Sequence, residues 1–231
     1  GIQAALTLTY NQGRPIRLAH VAAGAANASP DLVGVVERLT IVASESDEQW
    51  ISENLGQDHF PVSYVAATTP PQTETGIAHA VANLREHCES TLAAELLGSG
   101  AARVCVDGDL LNRPRDSRCF GVVKSVKTRY LDDESQLWTL PQGHRSAIFT
   151  ISGHGTDRHS CYVRLHSARF RPWSHGLVRV ETYDLKDLEP AAARALHDRQ
   201  PASSNDPRWD RHLAPIRATE QLLRSRRPAV F

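Results

Sequence analysis

Apolar and polar positions alternate near the start of the chain, in the pattern of a β-strand. Residues 4–10 alternate in this way, residues 11–15 contain the turn formers Asn, Gly and Pro, and residues 16–23 can return beside the first run. We therefore expect a β-hairpin. Residues 33–43 fit a strand or a helix, with β-branched side chains favouring a strand in their later part, and residues 62–66 form a short strand candidate.

A different period follows in residues 76–97, where apolar side chains recur at helical spacing. They are Ile77, Val81, Leu84, Cys88, Leu92 and Leu96. The run Gly98-Ser99-Gly100 ends this predicted helix. A short acidic helix is expected over residues 47–55, and residues 185–231 are expected to form a helical C-terminal part.

Between residues 103 and 182 the pattern is rich in β-formers, with little helix. The predicted strand segments are residues 104–107, 120–127, 137–140, 147–151, 161–165 and 177–182. Their succession predicts an antiparallel meander. Together with the helices on either side, it predicts an α/β fold in which a mixed sheet is flanked by helices.

The strand of residues 104–106 ends abruptly at Asp107, Gly108 and Asp109. Asp-Gly between β-rich runs is typical of a turn. An aspartate at the end of one strand, with Lys124 on the next, is also typical of an acidic metal site, since carboxylates suit Mg²⁺ or Mn²⁺ and a lysine suits a phosphate. Local pattern leaves both interpretations open.

Length and charge narrow the function classes. The 231 residues make one large domain or two small ones. Residues 1–100 hold 4 Arg against 11 Asp and Glu, and residues 101–231 hold the other 22 basic and 15 acidic residues. The basic second half suits nucleic acid or a solvated surface.

No apolar run approaches the ~20 residues of a membrane span, so no membrane association is expected. The four scattered cysteines favour free thiols in a reducing cytoplasm.

The ordered motifs of residues 76–226 resemble the NurA nuclease family. The likeness is carried by VDGDL at residues 106–110, VVKS at 122–125, YL at 130–131, WSHGLVRVE at 173–181, DPR at 206–208, LAPI at 213–216 and EQLL at 220–223. It implies a single ribonuclease H-like domain over residues 1–231. It also implies a Mn²⁺- or Mg²⁺-dependent DNA nuclease, dimeric, that works with a HerA-type hexameric ATPase in DNA end processing or phage defence.

The resemblance also implies roles for individual residues. Asp107 matches the family's second catalytic aspartate, and Glu89 matches its catalytic glutamate, with Glu86 as the alternative one turn away. Both Asp107 and Glu89 are then expected to bind the metal. Lys124 and Tyr130 match the basic and aromatic positions that follow the strand.

Two parts of the family pattern are missing from the chain. No Asp-Gly-Ser motif occurs before Asp107, so the first catalytic aspartate is expected upstream of Gly1 or is lost. The late histidine has only His197 and His212 as weak counterparts. An inactive module that docks on an ATPase and guides DNA is therefore the alternative function. Another ribonuclease H-like enzyme, such as a slicer or a transposase, is a weaker one.

Each candidate side chain also has a structural interpretation. Glu89 fits an ordinary solvated helix position, Asp109 fits a turn, and Lys124 fits a charge on an edge strand. Tyr130 fits core packing as well as stacking on a base. Arg179 and Glu181 share one face of their strand and fit a structural ion pair, while His154 and His159 fit a surface loop.

Overall fold

The computed structural model divides the chain into two compact units. The first unit comprises Gly1–Asn27, Val33–Leu92 and Ala218–Phe231, and the second comprises Ala28–Leu32 and Ala93–Arg217. The structure describes residues 2–11, 14–25, 36–44, 47–55, 62–65, 74–125, 130–153, 155–168, 171–201 and 213–225.

The first unit is built on a four-stranded sheet in the order β1-β2-β3-β4. Its strands are β1 (Ile2–Asn11), β2 (Arg14–Ala25), β3 (Val36–Ser44) and β4 (Val62–Val65). The strands β1, β2 and β3 pair in antiparallel fashion, and β4 joins β3 in parallel. The predicted hairpin is confirmed, and the ambiguous residues 33–43 lie largely in a strand.

Two helices accompany this sheet along the chain. Helix α1 (Glu48–Leu55) and helix α2 (Glu74–Gly98) confirm the helices predicted from the acidic segment and from the 3.6-residue period. Buried Ala19 and Val21 of β2 pack against Ala80, Val81 and Leu84 of α2. The apolar side of α2 therefore packs against β2 and contributes to the core of the first unit.

The second unit holds a mixed five-stranded sheet in the order β5-β6-β9-β8-β7. Its strands are β5 (Val104–Asp107), β6 (Cys119–Val123), β7 (Phe149–Ile151), β8 (Arg158–Arg164) and β9 (Leu177–Thr182). With its flanking helices, this sheet confirms the α/β class and the mixed sheet predicted from the sequence.

The predicted antiparallel meander is wrong at its first two strands. Strand β6 runs parallel to β5, and its other neighbour is β9 rather than β7. Residues 108–118 connect β5 to β6, a length that suits a crossover rather than a tight hairpin. Within the second sheet, β7, β8 and β9 form the antiparallel meander.

The predicted strand at residues 137–140 is also wrong. This segment belongs to the short helix α3 (Ser135–Thr139). The Asp133 carboxylate accepts hydrogen bonds from the backbone N–H of Ser135 at 3.0 Å and from its hydroxyl at 2.6 Å, which closes a turn just before the helix. Leu137 is buried, Trp138 and Thr139 are exposed, and Leu140 is partly buried again, so burial recurs after three residues, as in a helix rather than a strand.

Helix α4 (Leu185–His197) covers one face of the second sheet. Its buried Leu188, Ala191 and Ala192 join a core cluster with Val122 and Val180 of the sheet. Asp184 caps this helix by accepting the N–H of Lys186 at 3.1 Å. On the sheet's opposite face, a second cluster contains Ala93, Leu97, Val104, Val106, Leu110 and Cys119.

Helix α5 (Ala214–Ser225) completes the described elements. The predicted helical C-terminal part is confirmed for α4 and α5, while residues 202–212 and 226–231 lie outside the described residues. Within the described helices, none combines the length and apolar character needed to cross a membrane.

Candidate functional site

Asp107 is the last residue of β5, where the strand turns away from the sheet. Its register partner is Val122 of β6, and the next residue, Gly108, donates its N–H to the Val122 carbonyl at 3.0 Å. Gly108 has a φ of +135°, which a side chain would disfavour. The strand end is thus a sharp bend that leaves the Asp107 carboxylate at the sheet margin.

Asp109 stabilises this bend. Its Oδ1 accepts the backbone N–H of Leu111 at 3.0 Å, which is the contact of an Asx turn. The turn interpretation of Asp109 is therefore confirmed.

Lys124 meets Asp107 directly. Its Nζ lies 2.6 Å from Asp107 Oδ2, with side chains that are 23% and 16% exposed. The expectation that two neighbouring strands deliver these residues to one place is confirmed. Lys124 directly follows β6, which lies between β5 and β9 and is not an edge strand, so the edge-charge interpretation of Lys124 is wrong. Binding of a phosphate by Lys124 stays a prediction.

Tyr130 is partly exposed, with 38% of its surface accessible. Its ring stacks on Phe149 with 5.6 Å between the centroids, and the Arg179 guanidinium lies 4.7 Å from the Tyr130 centroid. This arrangement is a cation–π contact beside an aromatic pair. Stacking of a base on the exposed part of Tyr130 stays a prediction.

Arg179 and Glu181 form the structural ion pair that their spacing predicts. The Nη2 of Arg179 lies 2.7 Å from Glu181 Oε1, and both side chains are buried. Tyr162 of β8 is the register partner of Arg179. Burial raises the pKa of the Tyr162 hydroxyl above its usual value of 10.0, so the hydroxyl is protonated at neutral pH.

Glu89 and Glu86 lie on the part of α2 that belongs to the first unit. Glu89 is buried, so the interpretation of this residue as a solvated helix glutamate is wrong. Glu86 is half-buried. Among the predicted site residues, the second unit therefore brings Asp107 and Lys124 together, and it places Tyr130 against Arg179. The metal-binding role of Glu89 stays a prediction.

The donor set available to a divalent cation is small in the described part of the chain. Asp107 supplies a carboxylate of the right chemistry, yet the described ranges contain no group of three or more His, Cys, Asp or Glu side chains placed to hold one ion. Asp107 is thus outside any three-ligand group of the described residues, and its carboxylate already meets the Lys124 ammonium group.

Of the four histidines singled out in the sequence, the two that the structure describes do not extend this donor set. His159 lies on β8, where its Nδ1 is 3.2 Å from the Thr150 hydroxyl. His197 is exposed, with its Nδ1 2.8 Å from Asp198 Oδ1. His154 and His212 lie outside the described residues.

All four cysteines are free thiols. Burial raises the pKa of Cys161 to about 12, and burial also raises the pKa of Cys105. A thiol with so high a pKa is protonated at neutral pH and is a poor nucleophile. These two cysteines therefore have packing roles.

Sequence reasoning missed Arg158, the first residue of β8. Its Nη1 lies 3.5 Å from Glu181 Oε2, and the residue is buried. A signal existed in the alternation of β8, which places Arg158, Ser160, Tyr162 and Arg164 on one face of the strand. That face is the one that carries Arg179 and Glu181, because Tyr162 pairs with Arg179 and Ser160 with Glu181.

Comparison with known proteins adds no assignment. No protein-family model matches the chain, and no curated protein matches it significantly.

Proposed function

We propose that the protein is a metal-dependent DNA phosphodiesterase of the NurA type, with Asp107 at its reaction centre. The observation that carries the proposal is the contact between Asp107 and Lys124, 2.6 Å apart at the ends of two neighbouring parallel strands. A carboxylate and an ammonium group side by side supply a ligand for a cation and a partner for a phosphate. The sequence likeness to the NurA family supports the same chemistry.

Three side chains have distinct roles in this proposal. Asp107 would hold Mn²⁺ or Mg²⁺, and the bound ion would supply an activated water and neutralise charge on the phosphate. Lys124 contacts a non-bridging phosphate oxygen, which lowers the cost of charge developing on the scissile group. Tyr130 orients a neighbouring base through its exposed ring. Glu89 is proposed as a further ligand on grounds of the family likeness alone.

The proposed partners follow from the same likeness. They are DNA with accessible ends, a hexameric ATPase of the HerA type and a second copy of the chain. Light scattering of the purified protein tests the dimer, and co-elution with the ATPase tests that complex.

The decisive experiment measures cleavage of end-labelled DNA in Mn²⁺ and in Mg²⁺. Asp107→Asn keeps the shape of the side chain and removes its charge, so it should abolish cleavage while the protein stays folded. Glu189→Gln is the matched control, because Glu189 is an exposed carboxylate paired with Arg145 at 2.6 Å in the same unit. Undiminished cleavage by the Asp107→Asn variant would show that the reaction centre lies elsewhere.

Two observations favour a second function. The Asp107 carboxylate engages Lys124, and the described residues contain no three-ligand cluster. An inactive module that guides DNA to an ATPase needs no such cluster. Fluorescence anisotropy with labelled DNA separates the two functions: binding without cleavage in either metal supports the module, and cleavage supports the enzyme.

A further inference from the structure

The bend that follows Asp107 is held from a distant strand. The fully buried Glu181 of β9 accepts the backbone N–H of Leu110 through its Oε2 at 3.0 Å, a contact between residues 71 positions apart. Leu110 lies three residues after Asp107 and is itself buried. The carboxylate of Glu181 therefore fixes the far end of the turn that begins at Asp107.

Two arginines hold Glu181 in this orientation. Arg179 reaches its Oε1 at 2.7 Å, and Arg158 reaches its Oε2 at 3.5 Å. Both arginines are buried. Because a buried carboxylate is costly unless it is paired, the two arginines offset the burial of Glu181 and hold its acceptor oxygen toward the turn.

A glycine makes room for the contact. Gly121 of β6 is the register partner of Glu181, so a side chain at this position would project toward the same face. A Cβ on Gly121 would lie 2.6 Å from the Gly108 carbonyl oxygen and 3.4 Å from the Leu110 side chain. The turn thus rests directly on the backbone of β6.

Tyr183, just after β9, holds the same turn from a second direction. Its hydroxyl donates to the Leu110 carbonyl at 2.7 Å and also lies 3.1 Å from the Arg113 carbonyl. Burial raises the pKa of this hydroxyl above its usual value of 10.0, so it is a donor throughout the neutral range. Glu181 and Tyr183 together engage both the N–H and the C=O of Leu110.

We propose that Glu181 is a positioning residue for Asp107: it clamps Leu110 and thereby sets the direction in which the Asp107 carboxylate faces Lys124 and the substrate. The proposed effect on catalysis rests on the phosphodiesterase function given above. The clamp itself is a property of the fold and has a readout that does not depend on activity.

The test combines two measurements on Glu181→Ala. Amide hydrogen exchange followed by NMR should show the Leu110 N–H accelerated at least tenfold more than the amides of the β8–β9 ladder, whose rates report the overall loss of stability. The ¹³C resonance of the Asp107 carboxyl group should shift, because its surroundings change. In DNA cleavage, kcat should fall at least tenfold with KM changed by less than twofold, since orientation is lost rather than binding.

Glu189→Gln is the control, since it removes the charge of an ion-paired glutamate without touching the turn. It should change neither the Leu110 exchange rate nor the Asp107 resonance. If Glu181→Ala does not fold, Glu181→Gln provides the same test, because it keeps the length of the side chain and removes its charge, with an expected threefold or greater acceleration of Leu110 exchange relative to the β8–β9 ladder.

The outcomes separate the clamp from the proposed function. Leu110 exchange that rises no more than exchange in the β8–β9 ladder, or an unmoved Asp107 resonance, would overturn the clamp. Faster exchange with unchanged kcat would overturn the positioning role. Absence of cleavage by the unmodified protein would remove the phosphodiesterase function, whereas the exchange and resonance results would still decide whether Glu181 orients Asp107.

Discussion

Asp107 and Glu181 each meet a cationic side chain at almost the same distance, yet their surroundings differ. The Asp107–Lys124 pair spans 2.6 Å and keeps 16% and 23% of its side-chain surfaces exposed, whereas the Glu181–Arg179 pair spans 2.7 Å with 0% and 6% exposed. Water and ligands can compete for a partly exposed pair. The Glu181–Arg179 pair is sealed from solvent. This sealed pair keeps its partners, because separating buried charges is costly.

Burial rather than distance therefore distinguishes the two roles. The partly exposed Asp107–Lys124 pair is suited to exchanging partners with a cation or a phosphate. The sealed pair is suited to holding β9 and the turn at Leu110 in place. If this distinction is right, substitutions in the sealed pair should mainly affect stability, and substitutions in the exposed pair should mainly affect function.

The largest effect is expected from Glu181→Ala. It leaves Arg158 and Arg179 buried without their carboxylate, so the free energy of unfolding should fall by about 3–5 kcal/mol. Urea denaturation followed by circular dichroism measures the change. Replacing Arg158, Arg179 and Glu181 together by Leu or Met should recover most of the loss, because no uncompensated charge remains. A decrease of less than 1 kcal/mol in the free energy of unfolding of Glu181→Ala would mean that water reaches the Glu181–Arg179 pair.

The next largest effect is expected from Gly121→Ala. Its Cβ would lie 2.6 Å from the Gly108 carbonyl oxygen, and moving this backbone apart should cost about 1–3 kcal/mol. Gly98→Ala is the matched control: it lies in the last turn of α2 and a Cβ there meets nothing within 4 Å. That control should be neutral or stabilising by about 0.5 kcal/mol. Equal stability of the two variants, measured by thermal unfolding, would contradict the close approach.

The difference between the two pairs also explains which contacts could be predicted from the sequence. Asp107 and Lys124 could be predicted as neighbours, because each follows a short apolar run and strand ends meet at a sheet margin. The hairpin and α2 could be predicted as well, since their apolar periods of two and 3.6 residues are local signals.

The sealed pair could be predicted only in part. Arg179 and Glu181 are two residues apart and share a strand face, but Arg158 reaches them through the pairing of β8 with β9. Nothing local marks that an arginine at the start of a strand is buried, because its burial depends on a carboxylate 23 positions away. The parallel pairing of β5 with β6 was missed for a related reason: alternation reports which side chains are buried and not which way a neighbouring strand runs.

Tyr183→Phe is expected to have an intermediate effect and to depend on pH. Loss of the hydroxyl's contacts with the Leu110 and Arg113 carbonyls should cost about 1–2 kcal/mol at pH 7. Because burial raises the Tyr183 pKa above 10.0 in the folded state, the tyrosine's contribution is fully present below pH 10.0 and is lost as pH rises through the folded-state pKa. The gap between the two proteins should therefore narrow above pH 10, as urea titrations at several pH values would reveal. A gap that widens there would contradict a buried, protonated hydroxyl.

The smallest effect on stability, and the sharpest contrast with Glu181, is expected from Asp107→Asn. The amide can still accept a hydrogen bond from Lys124, and only the charge is lost from a partly exposed pair, so the free energy of unfolding should change by less than about 1 kcal/mol. The matched variant Lys124→Met and the double variant complete a double-mutant cycle, in which the coupling between the two side chains should also stay below about 1 kcal/mol.

Under the proposed function, the same variants should lose DNA cleavage. Substitutions at Asp107 and Lys124 would then affect activity more than stability, and substitutions in the sealed pair would affect stability most. A coupling of 3 kcal/mol or more between Asp107 and Lys124 would show that this pair is bound as strongly as the sealed Glu181–Arg179 pair. Its role would then be structural, because a pair held so strongly could not release Asp107 to a cation or Lys124 to a phosphate.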